Sequence, residues 1–248
     1  MCENFQKVGA FKIRGATNTV FILENQEAMK VVATHSSGNH AAAVALAARL
    51  RGIKAYVVMP DNAPKIKRVA VADYGAESIL CQPTLKAREE RLDKVVDKTG
   101  ASFIHSYNDY RVIAGQGTAD LELCEEISNL DIVMTPVGGG SLLSGTAMTV
   151  STMLPKTHVI AAEPERADDA YRPFHAGKII PSINPDTIAD RLLTSLGSLT
   201  FPIIKHYIKD IITVTEEGII SAMRMICKRG RSCRACFTRI TWYGIIYS

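Results

Sequence analysis

A chain of 248 residues, 47% of them hydrophobic, can bury one large core or two modest ones and falls among soluble globular proteins. Its formal net charge of +4 lies partly in the last twenty positions rather than in a basic stripe, so nothing argues for nucleic acid as a partner. No apolar run is long enough to span a membrane, no signal-peptide pattern follows Met1, and six cysteines lack disulfide-framework spacing, so a reducing, cytoplasmic setting is expected.

In chain order, Gly15 to Ala28 has helical character and ends before Val31-Val32-Ala33-Thr34, a short apolar run that reads as a buried strand. A Ser-Gly turn then feeds an alanine-rich helix from Asn39 to Leu50. The alternation continues with a strand at Ala55 to Met59, a helix at Ala63 to Tyr74 and a strand at Ser78 to Cys81. A charged amphipathic helix at Leu85 to Lys98 and a strand at Phe103-Ile104 follow. Beyond these come helices at Gly117 to Ile127 and Leu142 to Met153, with strands at Asp131 to Val137 and His158 to Ala162. Such alternation predicts an α/β fold with open, mainly parallel, twisted sheets and helices on both faces. Ligands in such folds bind beyond the carboxyl ends of strands, where the turns at Ser36 and Gly138 fall.

Four stretches carry chemistry. Lys12 sits between apolar neighbours in Ala10-Phe11-Lys12-Ile13, either as a solvated charge or as a desolvated amine able to condense with an aldehyde. Ser36-Ser37-Gly38-Asn39-His40 joins a strand end to a helix start, which suits either a helix cap or an anion site. Gly138-Gly139-Gly140 permits the backbone of a phosphate nest or simply a tight turn. Glu163-Pro164-Glu165-Arg166-Ala167-Asp168-Asp169 offers hard oxygen ligands or a solvated acidic loop. Cys233 and Cys236 lack the second ligand pair of a zinc site.

Taken together, Glu3-Asn4-Phe5-Gln6-Lys7, Phe11-Lys12-Ile13-Arg14-Gly15-Ala16, Ser36-Ser37-Gly38-Asn39-His40 and Pro136-Val137-Gly138-Gly139-Gly140 resemble the serine racemase and threonine dehydratase family of pyridoxal-phosphate enzymes. The resemblance covers roughly residues 1 to 229 and implies the tryptophan synthase beta-like fold. A large domain (1–30 and 109–229) would bind the cofactor, and a small domain (31–108) would be inserted in it. Lys12 would hold pyridoxal phosphate as a Schiff base and move the substrate α-proton, with Ser37 serving the opposite face. Gly138, Gly139, Gly140 and Ser141 would take the phosphate, Asn39 would contact the ring hydroxyl, Asn108 matches a position beside the cofactor or else forms an Asx turn before Asp109, and Ser36, Asn39 and His40 would receive the substrate carboxylate. Glu163, Asp169 and the carbonyl of Ala167 match the loop that binds Mg²⁺ or Ca²⁺ in serine racemases.

The implied activity is serine racemisation with serine dehydration, the alternatives being threonine dehydration to 2-oxobutanoate or a catalytically impaired member, and the implied assembly is a homodimer. Three departures stand out: Ser141 where a fourth glycine is common, Arg191 where a glycine is usual, and a tail from Gly230 to Ser248 with no family match. That tail makes the expected fold C-terminally incomplete.

Overall fold

In the computed structural model residues 2–24, 31–36 and 38–230 are described, the last two without their side chains. Contacts group the chain into two units, residues 2–115 and the residues from Gln116 onward.

Two 3-10 turns, Glu3–Phe5 and Lys7–Gly9, open the first unit and lead into α1 (Lys12–Ile22). There follow β1 (Val32–His35), α2 (Asn39–Arg51), β2 (Ala55–Pro60), α3 (Lys65–Asp73), β3 (Glu77–Cys81), α4 (Leu85–Thr99) and β4 (Ser102–Phe103). The strands form one parallel sheet in the order β3-β2-β1-β4, with Val32 opposite both Ala55 and Ser102. Local chemistry sets the helix ends: Thr84 Oγ1 accepts the Ala87 amide at 3.1 Å to start α4, and Gly52 and Gly100, at φ +74 and +65, stop α2 and α4 in a conformation that costs other residues energy. Alanines let α2 lie close against its neighbours, and Ala41, Ala43 and Val44 join Val20, Val32, Val57 and Met59 in the core. Each fully buried valine there contributes about 1.5–3 kcal/mol relative to exposure.

A long helix, α5 (Tyr110–Glu126), contains the boundary between the units. The second unit continues with β5 (Ile132–Pro136), α6 (Ser141–Met153), β6 (His158–Pro164), a 3-10 turn at Glu165–Ala167, α7 (Tyr171–Ala176), α8 (Thr200–Tyr207), β7 (Asp210–Val214) and α9 (Glu216–Gly230). Its three strands pair in parallel in the order β5-β6-β7, over a core that includes Leu143, Ala147, Val150, Ala161, Ile204 and Ile211.

Two flanked parallel sheets are what the alternation predicts. The expected helix at 117–127 begins seven residues earlier, because packing at Gly115 and Gly117 overrides their poor helix propensity: a Cβ on Gly115 would stand 2.6 Å from Gly15 Cα, and one on Gly117 2.8 Å from Thr149 Oγ1. Strand β6 runs on to Pro164, so Glu163 belongs to the sheet rather than to an acidic loop. The elements α7, α8, β7 and α9 had no expectation from the sequence.

Candidate active site

In the first unit the chain approaches Lys12 through Val8 and Gly9, both at positive φ, +59 and +68. For a β-branched valine this is a strained conformation costing about 1–3 kcal/mol, held here by what surrounds it. Lys12 then opens α1. Its side chain is half-buried, and Nζ donates to the Ser106 carbonyl at 2.6 Å, while the Phe11 ring centroid lies 5.2 Å away. The amine is therefore tied to the protein rather than standing in open water. Behind it, Arg14 and Glu3 form a buried two-point pair, Nε to Oε2 at 2.8 Å and Nη2 to Oε1 at 3.0 Å.

The Ile104 carbonyl accepts from Thr34 Oγ1 at 2.8 Å and stands 3.2 Å from His40 Nε2. A carbonyl cannot donate, so the His40 proton sits on Nε2 and leaves Nδ1 as a buried acceptor with no partner among the described residues. Burial, followed by the charge of Lys12, pulls the His40 pKa down to about 3. His35 falls to about 4 through burial and then the charge of Arg88. Both imidazoles are neutral at physiological pH. Ser36 Oγ accepts the Gly38 amide at 3.2 Å, so this serine shapes the turn into α2, which starts at Asn39. Ser37 lies outside the described residues. Asn108 belongs to the turn after β4, where its amide donates to His105 Nδ1 at 2.8 Å.

In the second unit the glycine turn follows β5 and starts α6. Gly140 has φ +91, and a Cβ there would meet Ile204 Cδ1 at 2.8 Å and Thr200 Oγ1 at 2.9 Å. Thr200 Oγ1 also donates to the Gly139 carbonyl and accepts the Gly197 amide, each at 2.9 Å. The turn is thus held from behind, and a helix N-terminus with its unpaired amides follows directly. Ser141 is buried as the first residue of α6. A Cβ on Gly138 would lie 3.2 Å from the carbonyl oxygen of Arg191, so the unusual arginine shares a backbone contact with this turn. Its own Nε lies 3.3 Å from Asp190 Oδ2.

Two of the four acidic residues from Glu163 to Asp169 are withdrawn from solvent, whereas Glu165 is exposed and Asp168 partly so. Glu163 and Asp169 are each only 2% exposed, and Ala167 is buried between them in sequence. The Glu163 carboxylate accepts the Ala170 amide at 3.1 and 3.2 Å and also the Tyr171 amide. Both Asp169 oxygens are buried with no partner among the described residues. Burial raises Glu163 to about 8, with the amides opposing and Asp169 adding, and raises Asp169 to about 6. Orphaned carboxylate oxygens of this kind fit a divalent cation. No group of three or more His, Cys, Asp or Glu placed to hold a metal ion occurs among the described residues, so such an ion would also need carbonyl and water ligands.

Sequence reasoning missed Thr200, Ser106, His105 and the Glu3–Arg14 pair. Only His105 had a local signal, an imidazole at the end of a short strand.

The family described as "Pyridoxal-phosphate dependent enzyme" matches residues 1–235. The chain is 53% identical over 230 residues to the beta-hydroxyaspartate dehydratase of Paracoccus denitrificans (strain Pd 1222), covering 93% of this chain and 73% of that protein. It is 49% identical over 230 residues to the serine racemase of Dictyostelium discoideum, covering 92% and 71%. The solved structure of maize serine racemase superposes with a TM-score of 0.91 at 45% identity, covering 93% of this chain and 70% of that one. The chain thus spans about seven-tenths of the length of these relatives. With a family match across nearly its whole length and relatives at about half identity, the chain belongs to the pyridoxal-phosphate dependent enzymes, as one of their racemase and dehydratase type.

Proposed function

We propose that the chain racemises serine and also removes water from it, giving D-serine from L-serine or pyruvate and ammonia. The observation that carries this reading is the amine of Lys12, half-buried on the Ser106 carbonyl and acting electrostatically on the neutral His40. When bound, pyridoxal phosphate supplies an aldehyde for an amine and an electron-withdrawing ring that acidifies the α C–H of an amino acid.

Lys12 moves the α-proton at its Nζ on one face, and Ser37 handles a proton on the other. Delivery to the second face inverts the centre. Loss of the β-hydroxyl as water, followed by hydrolysis, gives the keto acid. Ser36, Asn39 and His40 receive the substrate carboxylate at the start of α2, where the helix favours negative charge. Asn39 and Asn108 orient the ring. The backbone from Gly138 to Gly140, with Ser141, receives the phosphate, and the requirement for glycine at 138 and 140 supports this assignment. Glu163, Asp169 and the Ala167 carbonyl hold Mg²⁺ or Ca²⁺, supported by the orphaned oxygens of Asp169.

The discontinuous division into 1–30 with 109–229 and a separate 31–108 belongs to the same proposal: all four strands of one sheet fall inside 31–108 and all three of the other inside 109–229. So do a cytoplasmic homodimer and the absence of a membrane or nucleic-acid role; among the described residues no helix is long and apolar enough to cross a membrane. A second reading, dehydration of beta-hydroxyaspartate, is favoured by the 53% identity to an enzyme of that name.

The test is an absorption spectrum of the purified chain with added cofactor, followed by product assays on L-serine and beta-hydroxyaspartate. A lysine-linked cofactor band lost in Lys12→Ala, with D-serine and pyruvate from L-serine, is expected. No band overturns the enzyme reading, and turnover of beta-hydroxyaspartate alone selects the second.

A further inference from the structure

We propose that His105 is a positioning residue for Lys12: its ring Nδ1 gathers the backbone N–H groups of Tyr107 and Asn108, and so fixes the Ser106 carbonyl on which the Lys12 amine docks. The proposal rests on the reading of Lys12 as the cofactor amine.

The geometry is a short relay. Two consecutive amides converge on one nitrogen, Tyr107 at 3.1 Å and Asn108 at 2.8 Å, and the carbonyl just before them accepts Lys12 Nζ at 2.6 Å. An imidazole nitrogen that accepts two N–H groups must carry its lone pair there, so any ring proton lies on Nε2. Protonating Nδ1 would turn the acceptor into a donor and release both amides together. Neighbouring rings fix the orientation: Tyr107 stands edge-on at 4.6 Å, Phe103 at 5.6 Å and His35 at 6.3 Å between centroids.

The charges that act on His105 favour the neutral ring. Burial and then the Lys12 ammonium lower its pKa, with Asp109 opposing. The Tyr107 phenol packs edge-on at 4.6 Å, the nearby imidazoles of His35 and His40 are themselves held neutral, and Arg88 adds positive charge beside His35. An asparagine at 105 can imitate the arrangement, since its side-chain oxygen accepts amides two and three residues on, whereas leucine of similar bulk cannot.

The experiment uses the cofactor-free chain. Acetylation of Lys12 is followed by peptide mass spectrometry across pH, with Lys86, whose side chain is 86% exposed, as internal standard. In His105→Leu the Lys12 rate is expected to move toward that of Lys86 by about five-fold, the equivalent of one hydrogen bond, while His105→Asn stays within about two-fold of the unmodified chain. A folded His105→Leu with an unchanged Lys12 profile overturns the proposal, as does a His105→Asn that behaves like the leucine variant. Should the leucine variant not fold, His105→Asn decides alone: a retained Lys12 profile supports the proposal and a lost one overturns it. Absence of a cofactor band in the unmodified chain would instead defeat the enzyme reading.

Discussion

Thr200 Oγ1 stands 2.9 Å from the Gly139 carbonyl oxygen and 2.9 Å from the place a Cβ on Gly140 would occupy, so one hydroxyl both anchors the glycine turn and denies it a side chain. Gly140→Ala must therefore bear a positive φ, at about 1–2 kcal/mol, and a displacement of α8 as well. A drop of at least about 2 kcal/mol in urea unfolding is expected, together with weakened cofactor phosphate binding by equilibrium titration. An unchanged midpoint would show that the turn can relax.

The Glu3–Arg14 pair is buried on both sides, and Arg14 lies in the same helical turn as Lys12. Glu3→Ala takes away the carboxylate but leaves the guanidinium, and should cost about 3 kcal/mol. The double change Glu3→Ala with Arg14→Leu is expected to cost less than the sum of the single changes. Additivity in denaturant unfolding would mean the pair is not coupled.

Acid should act through His40. Its pKa is lowered on folding, from 6.5 to about 3, so its contribution is fully present above pH 6.5 and is lost as pH falls toward 3. His40→Gln keeps a donor for the Ile104 carbonyl without a titrating ring, and should flatten the stability curve by about 1.4 kcal/mol per pH unit near pH 5. The measurement is unfolding free energy from pH 7 to 4.5. Parallel curves for the two proteins would exclude His40 as the source.

Glu163 and Asp169 have the opposite sign. Their folded pKa values are raised to about 8 and about 6, so in the metal-free protein their contribution is present below pH 4 and is lost as pH climbs through 6 and 8. Adding Mg²⁺ or Ca²⁺ at 100 times its pH 8 dissociation constant should restore about 2.7 kcal/mol at pH 8, and the same concentration far less at pH 5, where protons compete. Asp169→Asn should abolish the response in thermal unfolding. A cation effect that survives this change would place the ion elsewhere.

The alternation of apolar strands and helices made the four-stranded sheet and two strands of the other legible, since parallel strands buried on two faces write themselves as runs such as Val31-Val32-Ala33. The second unit was harder to read. Helices α7 and α8 are short, at six and eight residues, and too brief to display a period. The start of α5 was hidden because Gly115 and Gly117 argue locally against a helix, while the reason for them is a close neighbour elsewhere in the chain. The same distinction holds at the site. Lys12, the serine turn and the triple glycine were legible as motifs, whereas Thr200 and Ser106 matter only through contacts made across 61 and 94 positions of sequence.

Every strand pairing described here is parallel, so no ladder can zip outward from a hairpin, and each must wait for an intervening crossover to be made. During synthesis β1 and β2 can meet early, but the far side of β1 stays open until residue 103 has emerged. Nascent chains of intermediate length consequently carry a sticky, half-finished edge. Long-range parallel pairing of this kind folds slowly as a class, so chaperone supply as well as melting temperature should govern the yield of folded protein.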